Sequence, residues 1–428
     1  MQWLFTVPGA SNSIMNACVP YSPAALQELL GNGVTQACSA EVADAMSRAA
    51  FKNTVAQLLS QTKDLNSLSG ANIFAVACTA ALVSGAPKKG SHRCHVAAAS
   101  NQQVHVWSLY MNKGERDREG EDYVCSRLIL EAISSQSQVP PLPRDFLLSS
   151  QPVQSSRDLL TEHIYSSSED FGQDMFGDLL SATTGMVLFV KTAEAAPSGH
   201  GGDFSRKDAL LEGMRTFADI TLPPGSIVYP GSFNPLHEGH VSLVAAAIRL
   251  LEDSSTQAGQ RGSDAPPLHP PVVFEISILN ADKPPLEVSD ILQRVRQFLD
   301  NPLLQQAGLT NVAVCVTSRP LFISKASLFP HCTFLIGSDT LSRLVDDKYY
   351  GRSREAMIAA LAGMVGRPDG CDFIVGGRVG GDGSFVTCEE VLESARLPPD
   401  IRRGFKGLSA EHFRCDVSST EIRARIAT

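Results

Sequence analysis

Tyr229-Pro230-Gly231-Ser232-Phe233-Asn234-Pro235-Leu236-His237-Glu238-Gly239-His240 links the apolar stretch Ser226-Ile227-Val228-Tyr229 to a second apolar stretch, 241–251. The first stretch reads as a strand and the second as a helix, so the run predicts strand, glycine-containing turn, helix. That is the layout of a nucleotide site in a parallel α/β sheet, where ligands sit beyond the carboxyl ends of the strands. Free N–H groups at the start of the helix favour anionic phosphate. Gly231 and Gly239 carry no Cβ, so the backbone can approach a polyphosphate closely at both points. His237 and His240, three residues apart, present two imidazoles on one side of the first turn. Taken singly, a His-x-x-His pair is most often incidental and a Gly-Ser-Phe turn most often only a turn. Zinc would need a third ligand at a recognisable spacing, and the run is not His-Glu-x-x-His.

Working outward, residues 226–428 read as one α/β domain. A Ser-, Gly- and Pro-rich interruption, 252–270, is expected as a surface loop before a strand from Val272 to Leu279. Lys283, in Ala281-Asp282-Lys283-Pro284-Pro285, follows that strand where an acceptor or triphosphate could lie, although an exposed Lys in such a loop is usually just solvated. Arg294 falls on the next helix. Upstream, residues 1–135 predict a smaller α/β domain. It has helical faces at Ala25, Leu26, Leu29, Leu30 and at Val42, Ala45, Met46, Ala49, strands at Ile73 to Cys78 and Val104 to Leu109, and a closing helix from Val124 to Ile133. Residues 136–225, rich in Ser, Pro, Gln and Asp, predict a linker holding one isolated strand near 185–190.

A chain of 428 residues is long enough for two or three domains, and 43% apolar with 19% charged residues is the composition of a folded globular protein. The net charge of −9 comes without any basic block, which excludes a nucleic-acid footprint. Ten cysteines stand singly, with no CxxC pair, as in a reducing compartment. No apolar run approaches the ~20 residues that span a bilayer, and Met1 to Pro8 lack a signal's basic start, so a cytoplasmic protein is expected, with no membrane partner. The first residues enter a domain without an opening strand, as a truncated start would.

The run at 231–240 resembles the G-[ST]-F-[DN]-P-x-H-x-G-H signature of the HxGH nucleotidyltransferase superfamily, and its Asn-Pro form is most similar to nicotinamide and nicotinate mononucleotide adenylyltransferases. Val417-Ser418-Ser419-Thr420-Glu421-Ile422-Arg423 is similar to the family's I-S-S-T-x-I-R, Ile336-Gly337-Ser338-Asp339 to its Gly-Ala/Ser-Asp segment, and Phe373-Ile374-Val375-Gly376-Gly377-Arg378 to a late strand running into an Arg-containing turn. The resemblance implies a Rossmann-like nucleotidyltransferase fold with a parallel sheet. It implies ATP with Mg²⁺ and a small phosphorylated acceptor as partners, and NAD biosynthesis as the setting. The reaction would be direct displacement at the α-phosphorus of ATP, with no covalent enzyme intermediate. His240, His237 and Lys283 would be catalytic. Gly231, Ser232, Phe233, Asn234, Gly239, Gly337, Asp339, Ser418, Ser419, Thr420 and Arg423 would bind the nucleotide, Ser418 or Ser419 capping a short helix whose N–H groups join Arg423 on the β- and γ-phosphates. No protein ligand to a metal is expected, and a homo-oligomer stays open.

Residues 8–134 resemble the nicotinamide-nucleotide amidase family, the C-terminal domain of competence-damage-inducible proteins. Gly9-Ala10-Ser11, Val19-Pro20-Tyr21-Ser22 and Lys113-Gly114-Glu115-Arg116 carry the resemblance. The segment with the family's first catalytic serine would precede residue 1, Leu26 stands where a lysine is expected, and residues 80–87 replace a Gly-rich loop. A serine nucleophile needs a base beside it and Leu cannot accept a proton, so an inactive amidase-like domain is expected, kept for ligand binding or assembly. His92-Arg93-Cys94-His95 has no second cluster to complete a metal site. Two other functions stay open for the second domain: cytidylyl or adenylyl transfer to another phosphorylated acceptor, and a non-catalytic nucleotide-binding scaffold. Asn234-Pro235 with Ser-Ser-Thr favours the pyridine nucleotide, and His237, His240 and Arg423 argue against a scaffold.

Overall fold

The computed structural model describes residues 2–31, 34, 36–137, 139–140, 163–170, 175–192, 213–257, 269–279, 284–299, 301–365, 368–379 and 385–414. The chain forms two compact units, Met1–Gln57 with Asn72–Asp174, and Leu58–Ala71 with Met175–Thr428.

The first unit is built on a four-stranded antiparallel sheet of β1 (Phe74–Ala81), β2 (His92–Ser100), β3 (Gln103–Met111) and β4 (His163–Asp170), in that spatial order. Ser22 accepts from the N–H of Ala25 at the head of α1 (Pro23–Leu30), and Asp117 accepts from Gly120 N–H at the head of α3 (Arg118–Gln136); of α2 (Ala40–Thr62), the part up to Gln57 belongs to this unit. Val124, Cys125 and Leu128 of α3 share a core with Cys94, Val96 and Ala98 of β2 and with Trp107, Leu109 and Met111 of β3. Strand alternation splits the His92-Arg93-Cys94-His95 cluster between the two faces of the sheet. His92 turns to α3, where its Nδ1 lies 2.6 Å from a carboxylate oxygen of buried Glu121, while His95 Nδ1 meets Ser108 Oγ at 2.8 Å. Among the described residues no group of three or more His, Cys, Asp or Glu could hold a metal ion.

The second unit carries an eight-stranded sheet. Its members are β5 (Met186–Lys191), β6 (Met214–Ala218), β7 (Ile227–Pro230), β8 (Val272–Ser277), β9 (Val312–Thr317), β10 (Thr333–Gly337), β11 (Asp372–Gly376) and β14 (Phe405–Leu408). β12 (Arg378–Val379) and β13 (Phe385–Val386) form a separate ribbon. The order is β14-β11-β10-β7-β8-β9-β5-β6; the first six are mutually parallel, and β5 and β6 add antiparallel beside β9. Numbered from β7, the parallel strands stand 3-2-1-4-5-6. The chain lays β8 and β9 to one side of β7 and then crosses to lay β10 on the other, so direction reverses between β7 and β10, where an open α/β sheet leaves a crevice at its carboxyl edge.

Near-continuous apolar strands are what burial on both faces requires. Tyr229, Phe274, Val314, Leu335 and Ile374 pack with Leu243, Val244 and Ala247 of α4 (Glu238–Gln257). On the other face, the rings of Phe334, Phe373 and Phe405 stack at centroid distances of 5.4 and 4.8 Å. Two further helices, α5 (Val288–Arg296) and α6 (Phe322–Leu328), follow β8 and β9, and α7 (Ser338–Leu344) follows β10. Lys325 of α6 reaches the sheet and ion-pairs with buried Glu275, whose other oxygen accepts from Thr317 Oγ1 at 2.5 Å.

Two organisational expectations change. The strand near 185–190 is not isolated, because β5 pairs with both β9 and β6 in the large sheet. Nor does the second unit begin at Ser226, for it includes Leu58–Ala71 as well as the segment from Met175. Leu59, Leu65 and Leu68 are fully buried. Asn311 accepts from Leu65 N–H and donates to the Lys63 carbonyl, both at 2.8 Å, and Arg215 donates to the Ala71 carbonyl at 2.6 Å. Edge pairing and packing by a remote segment are tertiary events that composition does not announce. Among the described residues no helix is long and apolar enough to cross a membrane.

Leu65→Ala is therefore expected to destabilise the second unit by about 2–5 kcal/mol in denaturant unfolding. A loss below about 0.5 kcal/mol, the size of a surface substitution, would contradict its place in that core.

Candidate active site

β7 ends at Pro230 and α4 begins at Glu238, so residues 231–237 form the turn at the carboxyl edge. Gly231 extends the ladder by one bond, its N–H donating to the Glu275 carbonyl at 2.9 Å. A Cβ at Gly231 would lie 2.6 Å from Cζ of Phe233. Glycine is required because the Phe233 ring folds back over this point, with the residue held at φ +41°, a left-handed conformation costly for a non-glycine. The ring repays that conformation by full burial at 0% exposure, edge-on to Tyr229, Phe274, Phe298 and His240 at centroid distances of 5.1–5.6 Å. The buried ring of Phe233 anchors the turn. Ser232 and Asn234 are exposed, and the Asn234–Pro235 peptide is cis.

The two histidines cap the head of α4. His240 Nδ1 accepts the backbone N–H of His237 and His237 Nδ1 accepts that of Gly239, each at 3.2 Å. The His240 N–H donates to the His237 carbonyl at 3.0 Å. These donors, expected to face phosphate directly, are already engaged. A backbone N–H can only donate, so each Nδ1 is the unprotonated nitrogen and each neutral ring carries its proton on Nε2. The rings lie against each other, centroids 3.8 Å apart and tilted by 31°. Burial, with His237 adding to it, pushes His240 down to about 3, and burial lowers His237 as well. At neutral pH the turn therefore carries two uncharged imidazoles, each with its proton on Nε2.

Gly337 ends β10 beside β7, and Asp339 sits in the first turn of α7, ion-paired with Arg378 just past β11; both side chains are more than half exposed. Gly376 and Gly377, quoted in the sequence only as part of a strand and turn, are demanded by packing: a Cβ would lie 2.5 Å from Leu243 Cδ1 and 2.3 Å from Phe385 Cζ, respectively. Two further groups reach the turn from the end of α5. Arg294 donates to the Ser232 carbonyl at 3.1 Å. Gln297, which no motif marks, donates from Nε2 to the Phe233 carbonyl at 2.6 Å and accepts at Oε1 from Leu236 N–H at 2.8 Å. Lys283, Ser418, Ser419, Thr420 and Arg423 lie outside the described residues. In the first unit, Ser11 is exposed, Tyr21 is 85% exposed and Leu26 is buried.

No family model, curated protein or solved structure matches the chain.

Because His240 is pushed down to about 3 in the folded chain while an unfolded histidine titrates near ~6.5, the unfolded state alone takes up this proton between those values. Stability from this group is complete above ~6.5 and is lost as pH falls toward the folded value, with a slope of up to about 1.4 kcal/mol per pH unit. Unfolding measured between pH 4 and 7 is expected to be less pH-dependent in His240→Asn than in the wild type. Equal slopes would show that His240 titrates normally.

Proposed function

We propose that the second unit is a Rossmann-like nucleotidyltransferase that moves the adenylyl group of ATP onto a pyridine mononucleotide and releases pyrophosphate. The observation that carries this reading is the pair of neutral imidazoles, His237 and His240, held as Nε2–H donors on the turn beside the point where strand order reverses. Such a pair suits phosphate oxygens: it donates in the neutral form and needs no proton transfer to do so.

In the proposed reaction a phosphate oxygen of the acceptor attacks the α-phosphorus of ATP. A new O–P bond forms, the bond to the β-phosphate's bridging oxygen breaks, and pyrophosphate leaves with that electron pair. Catalysis is then positioning plus stabilisation of charge on the transferring group. His240 and His237 donate to oxygens whose charge grows, and neither acts as a base. The loop's donors are N–H groups, unsuited to a hard cation, so Mg²⁺ belongs with the triphosphate as part of the substrate, where it offsets charge on the phosphates. On this reading Lys283 joins the catalytic groups, Gly337 and Asp339 line the nucleotide side, and Ser418, Ser419, Thr420 and Arg423 take the β- and γ-phosphates. The first unit is proposed as a degenerate amidase-like domain that binds a ligand without turning it over, and the whole chain as cytoplasmic.

Pyrophosphate release assayed over a panel of acceptors and nucleoside triphosphates is expected only with ATP and a pyridine mononucleotide. Release with CTP alone, with phosphopantetheine alone, or with no pair would overturn the proposal. His240→Ala is expected to lower kcat by about 10²–10³, the loss typical of one transition-state donor, while weakening ATP binding far less. Equal losses in both would point to a purely structural histidine.

A further inference from the structure

We infer that Gln297 is a positioning residue for the transfer proposed above: its side-chain amide sets the shape of the 233–236 turn and, through it, where His237 and His240 stand. The inference rests on that functional reading for its kinetic consequence, but its geometric content is independent of it.

The amide of Gln297 spans the turn. Nε2 donates to the Phe233 carbonyl and to the Arg294 carbonyl, and Oε1 accepts from Leu236 N–H, so three of its four hydrogen-bonding positions are used. The orientation is fixed by its partners. A flipped amide would set oxygen against the Phe233 carbonyl and N–H against the Leu236 N–H, repelling at both ends. Asn234 and Pro235 are the only residues between the two gripped groups, so the clamp determines the span of the turn. His237 follows Leu236 directly, and its N–H is the donor that holds the His240 ring.

The platform under the clamp is packed into the core. Gln297 closes α5, between buried Val295 and Phe298. Phe298 packs its ring on Phe233 and on Phe274 of β8, at centroid distances of 5.6 and 4.8 Å, and Asn301 Nδ2 donates to the Gln297 carbonyl at 3.0 Å. Arg294, one turn earlier on the same helix, holds the Ser232 carbonyl. The turn is thus braced at 232, 233 and 236 from one helix end, and at Gly231 from β8. A single polar side chain placed to donate to one end of a turn and accept from the other transmits the position of a helix to the catalytic groups. Misplacement of about 1 Å costs about 10²-fold in rate.

The test is Gln297→Met, which keeps the length and volume and removes all three bonds, with Gln297→Glu as a second variant that keeps the shape and the acceptor but loses the donors. Hydrogen exchange and steady-state kinetics are read on the full chain. Both variants should lower kcat at least tenfold, with KM for ATP changed less than about threefold. The Leu236 amide should exchange at least tenfold faster in Gln297→Met, since its acceptor is gone. If Gln297→Met does not fold, the kcat of Gln297→Glu decides. A kcat within twofold of wild type in a folded variant, or an unchanged Leu236 exchange rate in Gln297→Met, overturns the inference. If the wild type releases no pyrophosphate with any acceptor, the transfer reading fails, and the exchange rate of Leu236 still decides whether Gln297 sets the turn.

Discussion

Two backbone N–H groups at the head of α4, those of His237 and Gly239, end on the Nδ1 atoms of His240 and His237. Helix starts leave such donors without intrahelical partners, and a ligand or a capping side chain must satisfy them. Here the caps are imidazoles, and an imidazole that accepts at one nitrogen carries its proton on the other. Each ring thus takes a backbone donor of the helix start at Nδ1 and keeps its own proton on Nε2, without taking on charge. The sign of the site follows from this: the two rings are neutral, in a setting where burial disfavours the imidazolium.

The turn can hold that arrangement because the surrounding sheet leaves it no other shape. Gly231 takes a carbonyl on β8, Phe233 is sunk among Tyr229, Phe274 and Phe298, and α5 grips the backbone from the far side. The left-handed Phe233 is tolerated because four aromatic contacts over-determine it. The ladder beneath is itself secured on its other face by Glu275, whose two carboxylate oxygens are taken by Lys325 and Thr317. A buried charge with both oxygens satisfied is a specific feature of this sheet more than a source of net stability.

How far these features could be read in advance differs by type. The strand, turn and helix around 229–240 were legible because one uninterrupted run carries both periodicities and the glycines between them. β2 was not: residues 92–100 mix His, Arg and Cys with a run of Ala, a poor β signature that only its two neighbours make into a strand. The apolar run of β5 was legible, but its pairing with β9 was not, because edge pairing is decided between segments far apart in the chain. For the same reason nothing in 58–71 foretold its burial against Asn311 and Arg215. Within the site, the histidines and Gly231 could be named from their types. The engagement of the first-turn N–H groups, the burial of Phe233 and the part played by Gln297 depend on side-chain directions that spacing does not encode.

The proposed site depends most directly on the protonation of two rings, and nitrogen-15 NMR of the histidine-labelled chain measures it. The prediction for the ligand-free protein at pH 7 is that His237 and His240 both show the neutral Nε2–H form with an unprotonated, hydrogen-bonded Nδ1, and that His240 keeps this form down to pH 5. A proton on Nδ1 of either ring, or a His240 that titrates near the ordinary ~6.5, would contradict it.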